Sequence, residues 1–209
     1  SETPAIKFLG VFLDPKLNFK YHIDMIHNKI SRSLYAINAV KHFIGKKALK
    51  TLYSSLVHSH LSYCIPIWGC AAKTNLKKLE IQQKKAVRII SQSRYNAHTV
   101  PIFQDFEILP ITEQAKYSKL QIMYDFVHHR LPCSFDNLWI RNNVRAERVL
   151  RNGRLFNIPF VRLESYKDFP FSDLPRLWNN IVVPNTNPNP INNVNIENNE
   201  YIFQENMSR

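Results

Sequence analysis

A mainly α-helical fold is predicted: a short strand or β-hairpin at the start, a helical bundle, a further helical and irregular region, and a disordered tail. Three observations lead there. Apolar residues recur every three or four positions through several long stretches, the period of a helix with one buried face. The β-like composition is confined to residues 5–13, A-I-K-F-L-G-V-F-L, and the chain from Pro184 onward is rich in Asn and Pro.

The elements follow in order. Residues 5–13 are short, apolar and rich in aromatic and β-branched side chains, and Asp14-Pro15 marks a turn, so one strand is expected, an arm of a hairpin. From about Phe19 to Phe43, Ile23, Ile26, Ile30, Leu34 and Ile37 mark a first helix, with Asn18 able to cap its start and Gly45 placed where a helix should stop. A second helix is expected from Lys46 to Leu61, with Leu49, Leu52, Tyr53, Leu56 and Val57 inward. Tyr63 to Ala71 is continuously apolar and holds Pro66 and Trp68-Gly69, which predicts a buried irregular segment or a broken helix. The third helix opens at a capping Thr74 and runs to about Ser91, burying Leu76, Leu79, Gln83, Ala86, Val87 and Ile90. A loop with Pro101 and Pro110 precedes a fourth helix from Thr112, carrying Ala115, Leu120, Ile122, Met123, Phe126 and Val127 and ending before Pro132.

Beyond it the periodicity weakens. Arg141, Arg145, Arg148 and Arg151 stand three or four apart, which on a helix makes one stripe of guanidinium groups. From Pro184 the segment holds too little apolar surface to offset the cost of ordering it. Four regions result: 1–18 a strand-bearing lead-in, 19–100 a basic helical bundle, 101–183 mixed helix and loop, and 184–209 a disordered tail.

Net charge sharpens the picture. Residues 1–100 hold 16 Lys and Arg against 4 Asp and Glu, and residues 101–209 hold 12 against 12, so the whole formal excess of +12 lies in the first half. A field that lopsided favours a polyanionic partner, most commonly a nucleic-acid backbone. No apolar run approaches the roughly 18 residues of a bilayer span, and no membrane partner is expected. Cys64, Cys70 and Cys133 are odd in number and suit neither a disulfide framework nor a zinc ribbon. Starting at Ser1 without a methionine or a charged-then-apolar signal pattern, the chain is expected to be a stretch of a longer polypeptide.

Two-metal nucleotidyl transfer needs carboxylates side by side, because both must reach cations about 4 Å apart. Asp14, Asp24, Asp105, Asp125, Asp136, Asp168 and Asp173 are scattered singly, so no catalytic residue is assigned. His58, His60, Cys64 and Cys70 are ligand types within thirteen residues, but their spacing departs from structural zinc patterns, and buried thiols and core histidines explain them as well; no metal is assigned. Cys64 with His98 is a weak nucleophilic pair that nothing in the sequence activates. The stronger candidate is the outer side of the third helix, where Lys77, Lys78, Lys84, Lys85 and Arg88 face a single acid, Glu80. Cations along one helix side can follow a phosphate backbone and bind it without sequence preference. Tyr53, Tyr63, Trp68 and Phe43 are read as core rather than as stacking platforms.

Four blocks now add a resemblance. K-F-L-G-V-F-L-D at 7–14 with Leu17, Phe19, His22 and Ile23, L-Y-S-S-L-V at 52–57 with His60-Leu61, Tyr63-Cys64 and Trp68-Gly69, L-E-I-Q-Q-K-K-A-V-R-I-I at 79–90, and D-F-P-F-S-D-L-P-R-L-W-N-N-I at 168–181 appear in the order known from non-LTR (LINE-type) retrotransposon reverse transcriptases. The chain resembles their carboxy-terminal part, of the Jockey, CR1 and X-element kind, over about residues 5–183. The resemblance implies that 1–18 closes the palm and carries a primer-grip-like strand at Phe8, Leu9, Gly10 and Val11, where Gly10 lets a backbone approach nucleic acid closely. It implies that 19–100 is the thumb, whose lysine-bearing face holds template–primer duplex. Ser59 departs from the proline that this family often carries before His60, and neither the family's aspartate pair nor a zinc knuckle is present in this sequence.

The expectation for function is therefore the carboxy-terminal piece of an RNA-directed DNA polymerase that grips RNA–DNA duplex without a catalytic centre of its own. Its partners would be element RNA, primer DNA and the polymerase's own palm and fingers. Mg2+ is implied for the full-length enzyme and no cofactor for this chain, and the setting would be a cytoplasmic ribonucleoprotein and the nucleus. The alternative is a non-catalytic helical module that binds protein or RNA and uses its charge for solubility. The even charge of residues 101–209 and the Arg141–Arg151 stripe leave room for that alternative.

Overall fold

The computed structural model describes residues 5–140, 156–162 and 166–182. The Arg141–Arg151 stripe and the Asn/Pro-rich tail lie outside the described residues. Residues 5–13, expected to be one strand that turns at Asp14-Pro15, hold both arms of a hairpin: Ile6–Phe8 (β1) and Val11–Leu13 (β2) pair antiparallel, with Phe8 opposite Val11 and Ile6 opposite Leu13. Its two-residue turn has positive φ at both positions, 45° at Leu9 and 86° at Gly10, the hand that matches strand twist. Glycine takes that conformation freely; Leu9 does not, and the Tyr63 hydroxyl donates to its carbonyl at 2.6 Å.

The first helix, α1 (Lys20–Val40), buries the predicted ladder Ile23, Ile26, Ile30, Leu34 and Ile37. Its start is capped differently from the expectation. Phe19 precedes the helix in a left-handed conformation, φ 53°, and its ring is fully buried, so Asn18 is not at the capping position. The Asp14 carboxylate instead accepts the backbone N–H groups of Lys16, Asn18 and Phe19. The helix also stops short of Phe43, and Gly45 opens the next helix rather than ending this one. Phe43 is 85% exposed on that turn and is not core.

The expected second helix is one run of three pieces: α2 (Lys46–Tyr53), a wide π-type turn at Ser54–His58, and α3 (Ser59–Ser62). Its buried residues are Leu49, Tyr53, Val57 and Leu61, a spacing of four throughout, while Leu52 is half-buried and Leu56 points outward. Four-residue steps drift by about 40° each on a regular α-helix, and a wider turn returns the stripe to the core. The serines supply the means: Ser54, Ser55, Ser59 and Ser62 all donate to carbonyls three or four residues back, competing with the helix ladder. The apolar run that follows is a broken helix. Cys64 is left-handed, φ 52°, and α4 (Ile65–Trp68) buries Trp68 completely, its indole N–H donating to the Tyr63 carbonyl at 2.7 Å.

The third predicted helix is α5 (Lys73–Ser91), preceded by Ala72; Thr74 lies inside the first turn and does not cap it. It runs beside α1 in the same direction, since Lys78 bonds Asp24, Gln82 bonds His27 and Ser31, and Gln92 bonds the Lys41 carbonyl. The loop expected around Pro101 contains a helix, α6 (Thr99–Asp105), where Pro101 sits in the first turn and costs no hydrogen bond. The last of the predicted helices, α7 (Ile111–Val127), starts one residue before Thr112 and buries Ile111, Ala115, Lys119, Met123 and Phe126. Gly69 makes room for it: a Cβ there would stand 3.2 Å from the Ala115 side chain.

Beside a small patch of Val87, Ile102 and Phe103 where α6 meets α5, two larger apolar clusters result. The larger joins the hairpin, α1 to α5 and the first turns of α7 through Ile111 and Ala115. The smaller is built by Met123 and Phe126 of α7, Trp139, Phe156 and Leu174 of α8 (Pro170–Val182). An ion pair fastens the second: the buried Lys119 ammonium lies 2.6 Å from Asp173, which also receives Arg176, and Arg176 reaches Asp168 at 3.1 Å. Asn179 completes it, its amide donating to the Phe156 carbonyl at 2.8 Å and accepting the Phe156 N–H at 3.0 Å.

Gln83 is the central polar group of the larger cluster. Fully buried on α5, it donates to the Tyr53 hydroxyl at 3.1 Å and the Leu109 carbonyl at 2.9 Å, and accepts the Ile111 N–H at 2.8 Å. Gln83→Leu keeps the volume and orphans the last two backbone groups, so a loss of about 2–4 kcal/mol is expected as a lower urea midpoint at unchanged slope. Asp173→Leu leaves the buried Lys119 ammonium without a carboxylate, held only by the Asp168 carbonyl at 3.1 Å, and should cost about 3–5 kcal/mol. Adding Lys119→Met should recover most of that loss; a double variant as unstable as the single one would show that the pair is not what fastens α8.

Candidate nucleic-acid interface

Position on α5 decides which cations stand together. At about 100° per residue, Lys77, Lys84 and Arg88 form one ridge and Lys78 and Lys85 a second, with exposed Ile81 between them, and the five fit an arc of roughly 120°. The opposite side carries the buried Leu79, Gln83, Ala86, Val87 and Ile90, so the basic arc faces outward from a helix held on its other side.

Their charges are partly engaged. Glu80 lies between Lys77, at 3.3 Å, and Lys84, and its hydrogen bond to Lys84 is the main reason its carboxyl is held below the usual range. Lys78 pairs at 2.8 Å with Asp24 of α1, an acid that reading α5 alone misses. Arg88 donates through Nε to the Ala97 carbonyl and pins the following loop. Lys85 is exposed and has no acid within ion-pair distance among the described residues. Pairs this exposed contribute about 0–1 kcal/mol each, so their lysines can exchange a carboxylate for a phosphate at little cost.

The hairpin separates the four primer-grip-like residues. Phe8, Leu9 and Gly10 are exposed together at the turn, whereas Val11 points into the larger cluster. A Cβ on Gly10 would meet the Tyr63 ring at 3.4 Å, so the turn and Tyr63 give the glycine a structural reason of its own. The hairpin is held to α1 by Phe12, whose ring lies edge-on to Tyr21 and whose N–H donates to His22 Nδ1 at 3.4 Å. Lys78 reaches Asp24 one turn from those residues, so the hairpin and the first half of the basic arc meet at the same end of α1.

Tyr53 and Trp68 are core, as expected; Tyr63 is half exposed, and its hydroxyl is spent on Leu9. Among the described residues no group of three or more His, Cys, Asp or Glu is arranged to hold a metal ion. Burial pushes the Cys70 thiol up to about 11, which keeps it protonated. Cys64 heads α4 and His98 precedes α6, and no hydrogen bond joins them. Two features escaped the sequence reading. Tyr35 of α1 and Tyr95 of the loop after α5 are 81% and 89% exposed and line one groove with Lys41, Lys85 and Arg88. An aromatic at position 35, between the inward Leu34 and Ile37, was the available signal.

Curated relatives agree with the resemblance. The chain is 29% identical over 151 residues to the RNA-directed DNA polymerase from mobile element jockey of Drosophila funebris, covering 71% of this chain and 16% of that protein. It is 32% identical over 108 residues to the jockey polymerase of Drosophila melanogaster, covering 50% and 12%, and 27% identical over 112 residues to the "Probable RNA-directed DNA polymerase from transposon BS" of the same species, covering 52% and 12%. The chain is thus related to a limited stretch of retrotransposon reverse transcriptases and spans well under a fifth of their length. No family model matches, and no solved structure matches. No helix among the described residues is long and apolar enough to cross a membrane.

His22 offers a test of the hairpin's mounting. Burial, with the nearby Lys29 charge, pushes it down to about 4, and its ring packs edge-on to Trp68. An unfolded chain holds that proton up to about pH 6.5, so the stability His22 contributes is complete above 6.5 and is lost as pH falls toward 4. His22→Gln should show a smaller stability loss than the unaltered chain in urea titrations at pH 7, 5.5 and 4.5. Parallel losses in the two proteins would remove His22 from this role.

Proposed function

We propose that this chain is the thumb and following region of a retrotransposon RNA-directed DNA polymerase and that α5 grips the template–primer duplex. The observation that carries the reading is the outward arc of Lys77, Lys78, Lys84, Lys85 and Arg88 on a helix whose opposite face is locked in the core. Residues 77 to 88 span about 17 Å of helix, long enough to meet several phosphates, and such contacts release counterions without reading sequence. The kinship to jockey-type polymerases supports the substrate: an RNA template paired with a DNA primer.

On this reading the chain brings grip and orientation only. The aspartates and Mg2+ of nucleotidyl transfer belong to the whole polymerase, and the exposed hairpin turn at Phe8, Leu9 and Gly10 borders the primer end beside the palm. The exposed apolar side chains of Ile6 and Phe8 suit packing against the palm and fingers. The working setting is the element's ribonucleoprotein in the cytoplasm and then the nucleus.

The test uses the full chain with a blunt RNA–DNA duplex. Binding should weaken steeply with salt, and changing Lys77, Lys78, Lys84, Lys85 and Arg88 together to Glu should abolish it while circular dichroism stays helical. Unchanged affinity in that variant would remove α5 from the account. Absence of duplex binding at physiological salt, with a protein recovered as partner, would favour the interaction-module reading.

A further inference from the structure

We propose that the groove between α1 and α5 receives an unpaired, single-stranded stretch of nucleic acid, with Tyr35 and Tyr95 stacking on its bases; this deepens the duplex-grip reading and rests on it for the shared cations Lys85 and Arg88. The groove is open and about 630 Å³ in volume, enough for one or two nucleotides. Tyr35 stands on α1 and Tyr95 on the loop after α5, and both rings are more than four-fifths exposed. Single exposed aromatics are ordinary, but two on one concave surface with three cations are not. Lys41, Lys85 and Arg88 line it, and no carboxylate does, so the surface is complementary to a polyanion.

Chemistry separates this occupant from the duplex. Paired bases are already stacked and present only edges, whereas exposed tyrosines above a basic groove offer platforms for bases that have no partner. The surface is also built in advance: Gln82 ties α5 to Ser31 at 3.1 Å, and Gln92 ties its end to the Lys41 carbonyl at 2.7 Å, so the two helices that flank the groove are fixed relative to each other. The geometry therefore suits the strand beyond the paired region, held by stacking and phosphate contact without regard to sequence.

The experiment measures the full chain against a twelve-nucleotide oligouridylate, the matching oligothymidylate and a blunt RNA–DNA duplex. Tyr35→Ala and Tyr95→Ala should each weaken single-strand binding by at least about fivefold. Both should leave the blunt duplex unchanged, and Tyr→Phe at the two positions should retain binding. Comparing the two oligonucleotides tells RNA from DNA as the source of the strand. Single-strand affinity unmoved by the alanine changes, or duplex affinity falling in step with it, would overturn the proposal. Duplex binding that persists without any tyrosine effect sinks the groove and leaves the grip standing. Tyrosine-dependent single-strand binding without duplex binding does the reverse, and no binding to either removes both.

Discussion

The buried amide of Gln83 is the constraint on which the arrangement depends. A glutamine in an apolar core is tolerated only when its donors and acceptor are met, and here the partners come from α2 and from the two residues flanking Pro110. Those three bonds set where α7 begins, and α7 in turn carries Lys119 to Asp173. The neighbouring Gln82, about 100° around the helix, does the same work toward His27 and Ser31 of α1. Two adjacent amides therefore fix the rotation of α5 about its axis. Because that rotation is fixed by directional bonds and not by apolar contact alone, the cationic arc can face only outward. Tyr53, whose hydroxyl accepts from Gln83, is pushed up to about 12 by burial and stays protonated throughout the physiological range.

How much of this was legible depended on whether a feature is local. The mainly helical class and the α1 ladder from Ile23 to Ile37 follow from periodicity and are as expected; the β character of residues 5–13 was legible from composition, but the fold back at Leu9-Gly10 was not, because it depends on Leu9 accepting a positive φ that Tyr63 secures. The Asp14 cap was not legible, because it requires Phe19 to turn left-handed and bury its ring, which only the surrounding core can compel. The wide turn at Ser54–His58 was hidden for a similar reason: each serine is compatible with a regular helix, and only the unbroken four-residue burial stripe selects the distortion. α6 was missed because Pro101 was read as a breaker, although proline in a first turn breaks nothing. In the candidate site, the five cations of α5 could be placed from spacing. Asp24, Tyr35 and Lys41 could not, since the α1–α5 alignment that brings them there joins residues some fifty positions apart.

The block D-F-P-F-S-D-L-P-R-L-W-N-N-I, which carries part of the family resemblance, has a physical content. Asp173 neutralises a lysine that α7 buries, Ser172 returns its hydroxyl to the Tyr166, Lys167 and Phe169 carbonyls, and Asn179 imitates a β-bridge to Phe156 with one side chain. Each of these residues is polar and buried, so each is specified by a partner that no helical period reveals. Lys119 illustrates the point from the other side: in sequence it interrupts an apolar stripe, and in space it is the residue through which the stripe is joined to α8.

α7 contributes Ile111 and Ala115 to one apolar cluster and Met123 and Phe126 to the other. A rod shared by two cores makes them heritable only as a pair. A break before Ile111 would take a wall from both cores, and one between Ala115 and Met123 would part them from each other, so the described bundle and α8 are conserved intact only when α7 passes whole. Shuffling among mobile elements would then exchange the basic bundle and its carboxy-terminal companion together, as a single cassette.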